Sequence, residues 1–297
     1  MSAPPNVPWA RSHAALPAVA NGTAGGWDLY VAARDDHNRA MVARLPLDRA
    51  DAELVAGKPQ AEPALGLGEL GAFDDSGVTL SCVVDDGDRR LLYYSGWSLG
   101  VSVPFYFYVG LAASEDGGRT FTRVSRGPIL GRDDVDPLLT ASPSVLIDDG
   151  TWRMWYVSAT EWRLIDGEPR HRYHVRYAES NDGLHWRRDG RICVDYQGAD
   201  EYAIGRPCVL KHAGRYRMWF CARGDVYRLG YAESDDGLSW ERDDQAAQLV
   251  GEQADWEGDS VAYPHVFDDG NALQLLYNGR GYGTAGVGWA TLETESG

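Results

Sequence analysis

The sequence predicts an all-β chain: a five-bladed β-propeller with four antiparallel strands per blade, filling residues 1–297 as a single domain. Three observations predict it. A short phrase recurs five times along the chain. The segments between copies are short runs rich in Val, Tyr, Trp and Leu, broken by Asp-Gly or Gly turns. No long stretch carries helical periodicity. A repeated unit of strands that buries the same face each time and fills the whole chain is the pattern of a propeller blade.

The phrase itself leads into an apolar strand. It reads Ser142-Pro-Ser-Val-Leu146, Arg206-Pro-Cys-Val-Leu210 and Tyr263-Pro-His-Val-Phe267, with weaker copies at Leu16-Pro-Ala-Val19 and Ser81-Cys-Val-Val84. Its second position falls at Pro17, Cys82, Pro143, Pro207 and Pro264, spacings of 65, 61, 64 and 57 residues. A second strand follows each copy: Asp28-Leu-Tyr-Val31, Leu91-Leu-Tyr-Tyr94, Arg153-Met-Trp-Tyr156, Arg217-Met-Trp-Phe220 and Leu275-Leu-Tyr277. Between first and second strands, Asp85-Asp-Gly87, Asp148-Asp-Gly150 and Asp268-Asp-Gly270 supply tight turns, since Asp and Gly tolerate positive φ.

Three units add a polar turn. Ser114 to Phe121 fits the pattern S-x-D-x-G-x-T-[FW], and Ser180 to Trp186 and Ser234 to Trp240 are one residue shorter. Such a turn reads as a fastener: the Asp bonds backbone N–H groups and the aromatic packs beneath it.

Composition narrows the function. Hydrophobic residues make up 44% and charged residues 24%, ample for a packed core. The net charge of −16 repels phosphate backbones and anionic lipid, which argues against nucleic-acid and membrane-surface roles. The stretch from Met1 to Ala20 has no apolar signal-peptide core, and no run approaches the ~20 apolar residues that span a bilayer. Cys82, Cys193, Cys208 and Cys221 form neither CxxC pairs nor zinc spacings, so reduced thiols, a cytoplasmic home and no metal or cofactor are expected.

In a propeller, function gathers where the first strands begin and around the loops before them. Those places hold His13 and Arg34 in unit one, Asp74 and Asp75 in unit two, and Glu201, Arg206 and Arg223 in unit four. Unit five adds Asp259, Tyr263 and Arg280. Carboxylates converging from different blades suit glycosidic chemistry, in which one donates a proton to the leaving oxygen and another activates water or attacks carbon. Glu201 is the expected general acid, Asp75 its base or pKa partner, and Asp259 the third catalytic acid. Arg206 and Arg34 are expected to bind an anionic portion of the substrate, with His13, Asp74, Arg223, Arg280 and Tyr263 completing the binding set. The expected partner is a carbohydrate or sugar-phosphate small molecule.

At these residues the chain resembles the five-bladed glycosidase superfamily that includes glycoside hydrolase families 32, 43, 68 and 130. Within it, the chain looks closest to uncharacterised glycosidase-like proteins of bacterial surface-polysaccharide gene sets. The likeness covers the full length and is carried by Arg34-Asp-Asp-His-Asn-Arg39, Phe73-Asp-Asp-Ser-Gly-Val78, Tyr177-Ala-Glu-Ser-Asn-Asp-Gly183, Gly205-Arg-Pro207, Tyr231-Ala-Glu-Ser-Asp-Asp-Gly237 and Tyr277-Asn-Gly-Arg-Gly-Tyr-Gly283. It implies an acidic trio on successive blades and leaves room for a structural Ca²⁺ in the channel. The pattern departs in unit three, where Thr140-Ala-Ser-Pro143 stands in place of an acid. That departure motivates a second reading, a non-catalytic sugar- or nucleotide-sugar-binding propeller. The single full polar turn motivates a third, a sialidase-like hydrolase.

Overall fold

The computed structural model describes residues 7–23, 25–51, 53–249 and 255–292; residues 1–6 of the N-terminal stretch read above lie outside these. Among the described residues the chain is all-β apart from two short 3₁₀ turns, at Asp244–Ala247 and Gly281–Gly283. Unit one contains β1 (Ser12–Asn21), β2 (Trp27–Arg34), β3 (Ala40–Ala50) and β4 (Glu53–Ala56). Unit two contains β5 (Gly77–Asp86), β6 (Arg89–Leu99), β7 (Phe105–Ser114) and β8 (Thr122–Arg123). Unit three contains β9 (Thr140–Asp148), β10 (Thr151–Ile165), β11 (Glu168–Ser180) and β12 (Ile192–Val194). Unit four contains β13 (Ala203–His212), β14 (Arg215–Arg223), β15 (Tyr227–Ser234) and β16 (Glu241–Arg242). Unit five has three strands among the described residues: β17 (Ala262–Asp268), β18 (Leu273–Asn278) and β19 (Val287–Leu292).

Within each unit, successive strands pair antiparallel. The Asp-Gly turns have the expected geometry: Asp149 and Gly150 join β9 to β10 with φ of 48° and 75°.

The repeated phrase has a physical explanation. In every unit the register of the first strand slips within it: between Ala15 and Ala18, Leu80 and Cys82, Ala141 and Ser144, Gly205 and Cys208, and Ala262 and His265. Such a bulge frees one residue from the ladder and re-aims its side chain. The residue before the proline is left-handed at Leu16, Ser142, Arg206 and Tyr263, with φ of 52°, 46°, 53° and 60°. Proline suits the next position because it has no N–H to leave unpaired.

The first strands β1, β5, β9, β13 and β17 lie side by side in that order, and β17 returns to β1. No backbone ladder joins them to one another. Side chains do so instead. The Val19 N–H donates to His265 Nε2 at 2.9 Å, Val209 N–H to Ser144 Oγ at 2.9 Å, and Val266 N–H to Cys208 Sγ at 3.2 Å. The Ser142 N–H donates to Ser95 Oγ at 2.8 Å, and the Cys82 thiol faces the Val145 N–H. Ala18 has no such acceptor to offer unit two. Arg206 ties that seam instead, donating to the carbonyl oxygens of Ser81 and, at 2.8 Å, of Pro17.

The core is correspondingly divided into wedges, each shared by neighbouring units. Tyr30 packs with Leu80 and Tyr94; Tyr93 with Met154 and Tyr156; Trp155 with Met218 and Phe220; Trp219 with Leu275 and Tyr277. A further wedge joins Leu29 and Val31 of unit one to Leu276 and Val287 of unit five. Burying each such side chain is worth about 1.5–3 kcal/mol. The polar turns bolt these wedges. Tyr30 Oη donates to Gly118 O, Tyr93 Oη to Gly183 O and Trp155 Nε1 to Gly237 O, each from the preceding unit.

Candidate active site

The first and third strands of a unit run in one direction and the second in the other. The starts of the first strands, the ends of the second and the starts of the third therefore share one end of the assembly. His13 sits at the start of β1, Arg34 at the end of β2, Arg223 at the end of β14, Tyr227 at the start of β15 and Tyr263 near the start of β17. Between units four and five this end opens into a pocket of about 310 Å³, lined by Arg223, Asp225, Tyr227, Asp259, Arg280 and Tyr282 among others. Three residues expected from sequence, Arg223, Asp259 and Arg280, thus come together. Tyr263 adjoins them, with ring centroids 6.0 Å from Tyr227 and 6.5 Å from Tyr282. Arg34 acts electrostatically on Tyr263 and on His13, which extends the cluster toward unit one.

The charges at this end are unusual for so acidic a chain. Among the described residues, Arg34, Arg206 and Arg223 are the arginines that are not exposed and have no carboxylate within ion-pair distance. Arg34 donates to Asn38 Oδ1 at 2.7 Å. The Arg223 guanidinium lies over the rings of Tyr227, Tyr202 and Tyr282, at 4.9, 5.6 and 6.0 Å, and its Nε has no hydrogen-bond partner. Burial works against the Arg223 charge, but the facing phenols outweigh it and raise its pKa. A guanidinium held by ring faces keeps its fork of donors for an incoming anion. Burial, helped by Arg34, lowers His13 to about 4, so its imidazole is neutral near pH 7. Burial does the same to His171, which stacks on Tyr173 at 4.7 Å.

Asp75, Glu201 and Asp74 are placed differently. Asp75 closes a local turn, accepting from Gly71 N–H at 3.0 Å and Ser76 Oγ at 2.9 Å. Glu201 is gripped by Arg242 on both oxygens, at 2.8 and 2.6 Å, and accepts from Gln197 N–H at 2.7 Å. Asp74 is buried and accepts from Tyr94 Oη at 3.0 Å and Arg123 Nε at 2.7 Å. These bonds follow a rule running through the units. Asp74, Asp136 and Glu257 each accept from a tyrosine 20 residues later: Tyr94, Tyr156 and Tyr277. In unit four the matching residue is Phe220, and Arg242 stacks on its ring at 5.1 Å while holding Glu201. Asp74, Asp136 and Glu257 therefore serve as clasps between loop and strand.

Arg206 crosses the space between the first strands and is buried there, with its Nε unpartnered. Burial lowers its pKa. Its guanidinium holds the carbonyl oxygens of Leu16, Pro17 and Ser81. Backbone carbonyl oxygens of this kind are what a channel Ca²⁺ would use as ligands. With a cation already on them, the site does not fit the ion. Among the described residues no cluster of His, Cys, Asp or Glu is arranged to hold a metal. The four cysteines are free, and burial lifts Cys82 and Cys193 to about 12 and Cys221 to about 11, so these thiols are not nucleophiles.

Sequence reasoning missed Asp225, Tyr227 and Tyr282. The signal for the last was the Gly281-Tyr282-Gly283 triplet, an aromatic between two glycines directly after a strand.

This arrangement sits on the fold of the glycoside-hydrolase propeller enzymes. A thermostable family-43 glycoside hydrolase superposes with a TM-score of 0.70 over 99% of this chain and 94% of its own, at 19% identity. The GH43_1 enzyme of Xanthomonas citri, complexed with xylose, does so with a TM-score of 0.67 over 95% and 87%, at 16% identity. The chain belongs to the family of two uncharacterised Mycobacterium tuberculosis proteins. MT1551 of strain CDC 1551 / Oshkosh is 42% identical over 285 residues, 96% of this chain and 94% of that protein. Rv1502 of strain ATCC 25618 / H37Rv is 41% identical over the same shares. No protein-family model matches the chain.

Proposed function

We propose that the five units are the blades of a five-bladed β-propeller whose pocket binds a sugar bearing an anionic group and cleaves its glycosidic bond. One observation carries the reading: Arg223 and Arg280 converge with Asp225 and Asp259 on a single pocket walled by tyrosines. Arg223 and Arg280 hold the carboxylate or phosphate of the substrate, with Arg34 adding positive charge on the far side of Tyr263. Asp259 and Asp225, one from each side of the pocket, are the pair available for proton donation and water activation. The xylose complex of a structural relative makes a sugar the natural class of ligand for this fold. A second reading, binding without turnover, is favoured by the way Arg242 holds Glu201 and a local turn holds Asp75.

The test is a glycan array carrying uronate-bearing, phosphate-bearing and neutral sugars, followed by reducing-end release from whatever binds. Anionic glycans are expected to bind, and Arg223→Ala to weaken them at least about 10-fold, the scale of a charged hydrogen bond. Asp259→Asn is expected to bind as before and to lose at least ~100-fold in release. Capture of neutral glycans alone, or of none, defeats the reading. Binding without release selects the non-catalytic one.

A further inference from the structure

Tyr282 stands out as an aromatic side chain held outward by a strained backbone. It lies at the apex of the segment between β18 and β19, with φ 56° and ψ 34°, a conformation uncommon for a bulky residue. Both feet of this segment are pinned. At one, Asn278 is fully buried, donating to Ala14 O and Gly286 O at 2.7 Å each and accepting from Leu16 N–H at 2.9 Å. At the other, Gly283 lies so close to β1 that a Cβ there would come within 2.8 Å of Ala15. Gly279 is equally confined, since a Cβ would come within 2.5 Å of Trp256 O. The flanking Gly281 and Gly283 supply the positive φ, 72° and 98°, that the arch needs.

This clamping does not serve burial. Tyr282 remains 45% exposed, with its ring on the pocket wall and perpendicular to that of Tyr227, centroids 6.1 Å apart at 84°. Strain maintained by surrounding structure, on a residue that gains little from the core, marks a functional position. The ring centre is 6.0 Å from the Arg223 Cζ. A flat apolar face and a cation at that separation suit a ligand with an apolar ring face and an anionic substituent.

We infer that Tyr282 is the stacking platform of the pocket, receiving the apolar face of a pyranose while the anionic substituent of that sugar reaches Arg223. The inference rests on the anionic-sugar reading and names the residue that selects for ring shape. Glucuronic acid, glucose 6-phosphate and glucose, titrated calorimetrically into the full-length protein, serve as probes. One or both anionic probes are expected to bind and glucose to bind at least about 10-fold more weakly. Which anion binds distinguishes carboxylate from phosphate. Tyr282→Ala is expected to weaken the anionic probe about 10-fold, and Tyr282→Phe, which keeps the ring, to recover most of that loss. Thermal melting of both variants checks that the fold is intact. If Arg223→Ala abolishes binding while Tyr282→Ala leaves it unchanged, the platform is overturned and the anionic-sugar reading stands. If the wild-type protein binds none of the probes, both fall.

Discussion

Asp136 and Asp259 each stand shortly before a first strand, yet they meet opposite surroundings. Asp136 has no exposed surface and accepts from Tyr156, Ser158, Arg176 and Arg188. Asp259 is exposed, on the wall of a pocket whose arginines include Arg223 and Arg280. In the first region every charge is answered by another side chain. In the second, Arg223 rests on ring faces, with no carboxylate within ion-pair distance and its Nε unpartnered. The difference teaches that an acid's place in the repeat does not reveal its work; the partners brought to it by other strands do.

The comparison can be broken most forcefully at Asp136. Asp136→Asn leaves Arg176 and Arg188 without the charge they share, and removing one partner of a buried pair costs about 3–5 kcal/mol. The unfolding free energy read from urea titration is expected to fall by that amount at constant slope. A change under about 1 kcal/mol would show that Asp136 is not a clasp.

Glu201 sharpens the comparison, because it has been assigned on both sides of it. As a clasp, Glu201→Gln weakens the grip on Arg242 and costs about 1–3 kcal/mol in unfolding free energy. As a general acid, the same variant would keep its stability and lose ~100-fold in turnover. Denaturation beside a turnover assay separates the two, and we expect the loss of stability.

The smallest effect of a single substitution is on the pH dependence of stability. Burial lowers His13, His171 and His174 to about 4 and His265 to about 3. An unfolded histidine titrates near 6.5, so below that pH the unfolded chain binds protons that the folded chain does not. The stability owed to the neutral rings is complete above about 6.5 and is lost as pH falls toward 4. The melting temperature is expected to drop between pH 7 and 5, and His13→Asn to flatten that slope by one group's share. An unchanged slope would mean His13 is not buried as described.

The repeat was legible because every first strand solves the same problem. Pro17, Pro143, Pro207 and Pro264 mark bulges, and the residues after them face a seam that needs an acceptor. The polar turns were legible for a similar reason: Ser114, Asp116, Ser180 and Asp182 bond within a few residues of themselves. That His13, Arg34, Arg223, Asp259, Tyr263 and Arg280 lie toward one end of the assembly was legible because strand ends determine where such residues gather. The partner of Glu201 could not, since Arg242 is 41 residues away and on another strand. A tyrosine 20 residues after the acid was the missing clue for Asp74 and Asp136.

The joints between neighbouring first strands are not chemically alike. Oxygen of Ser144 serves one, nitrogen of His265 another, and sulfur of Cys208 the joint between units four and five. Sulfur is the poorest acceptor of the three. The cleft holding Arg223 and Arg280 opens between the two units that the Cys208 sulfur joins.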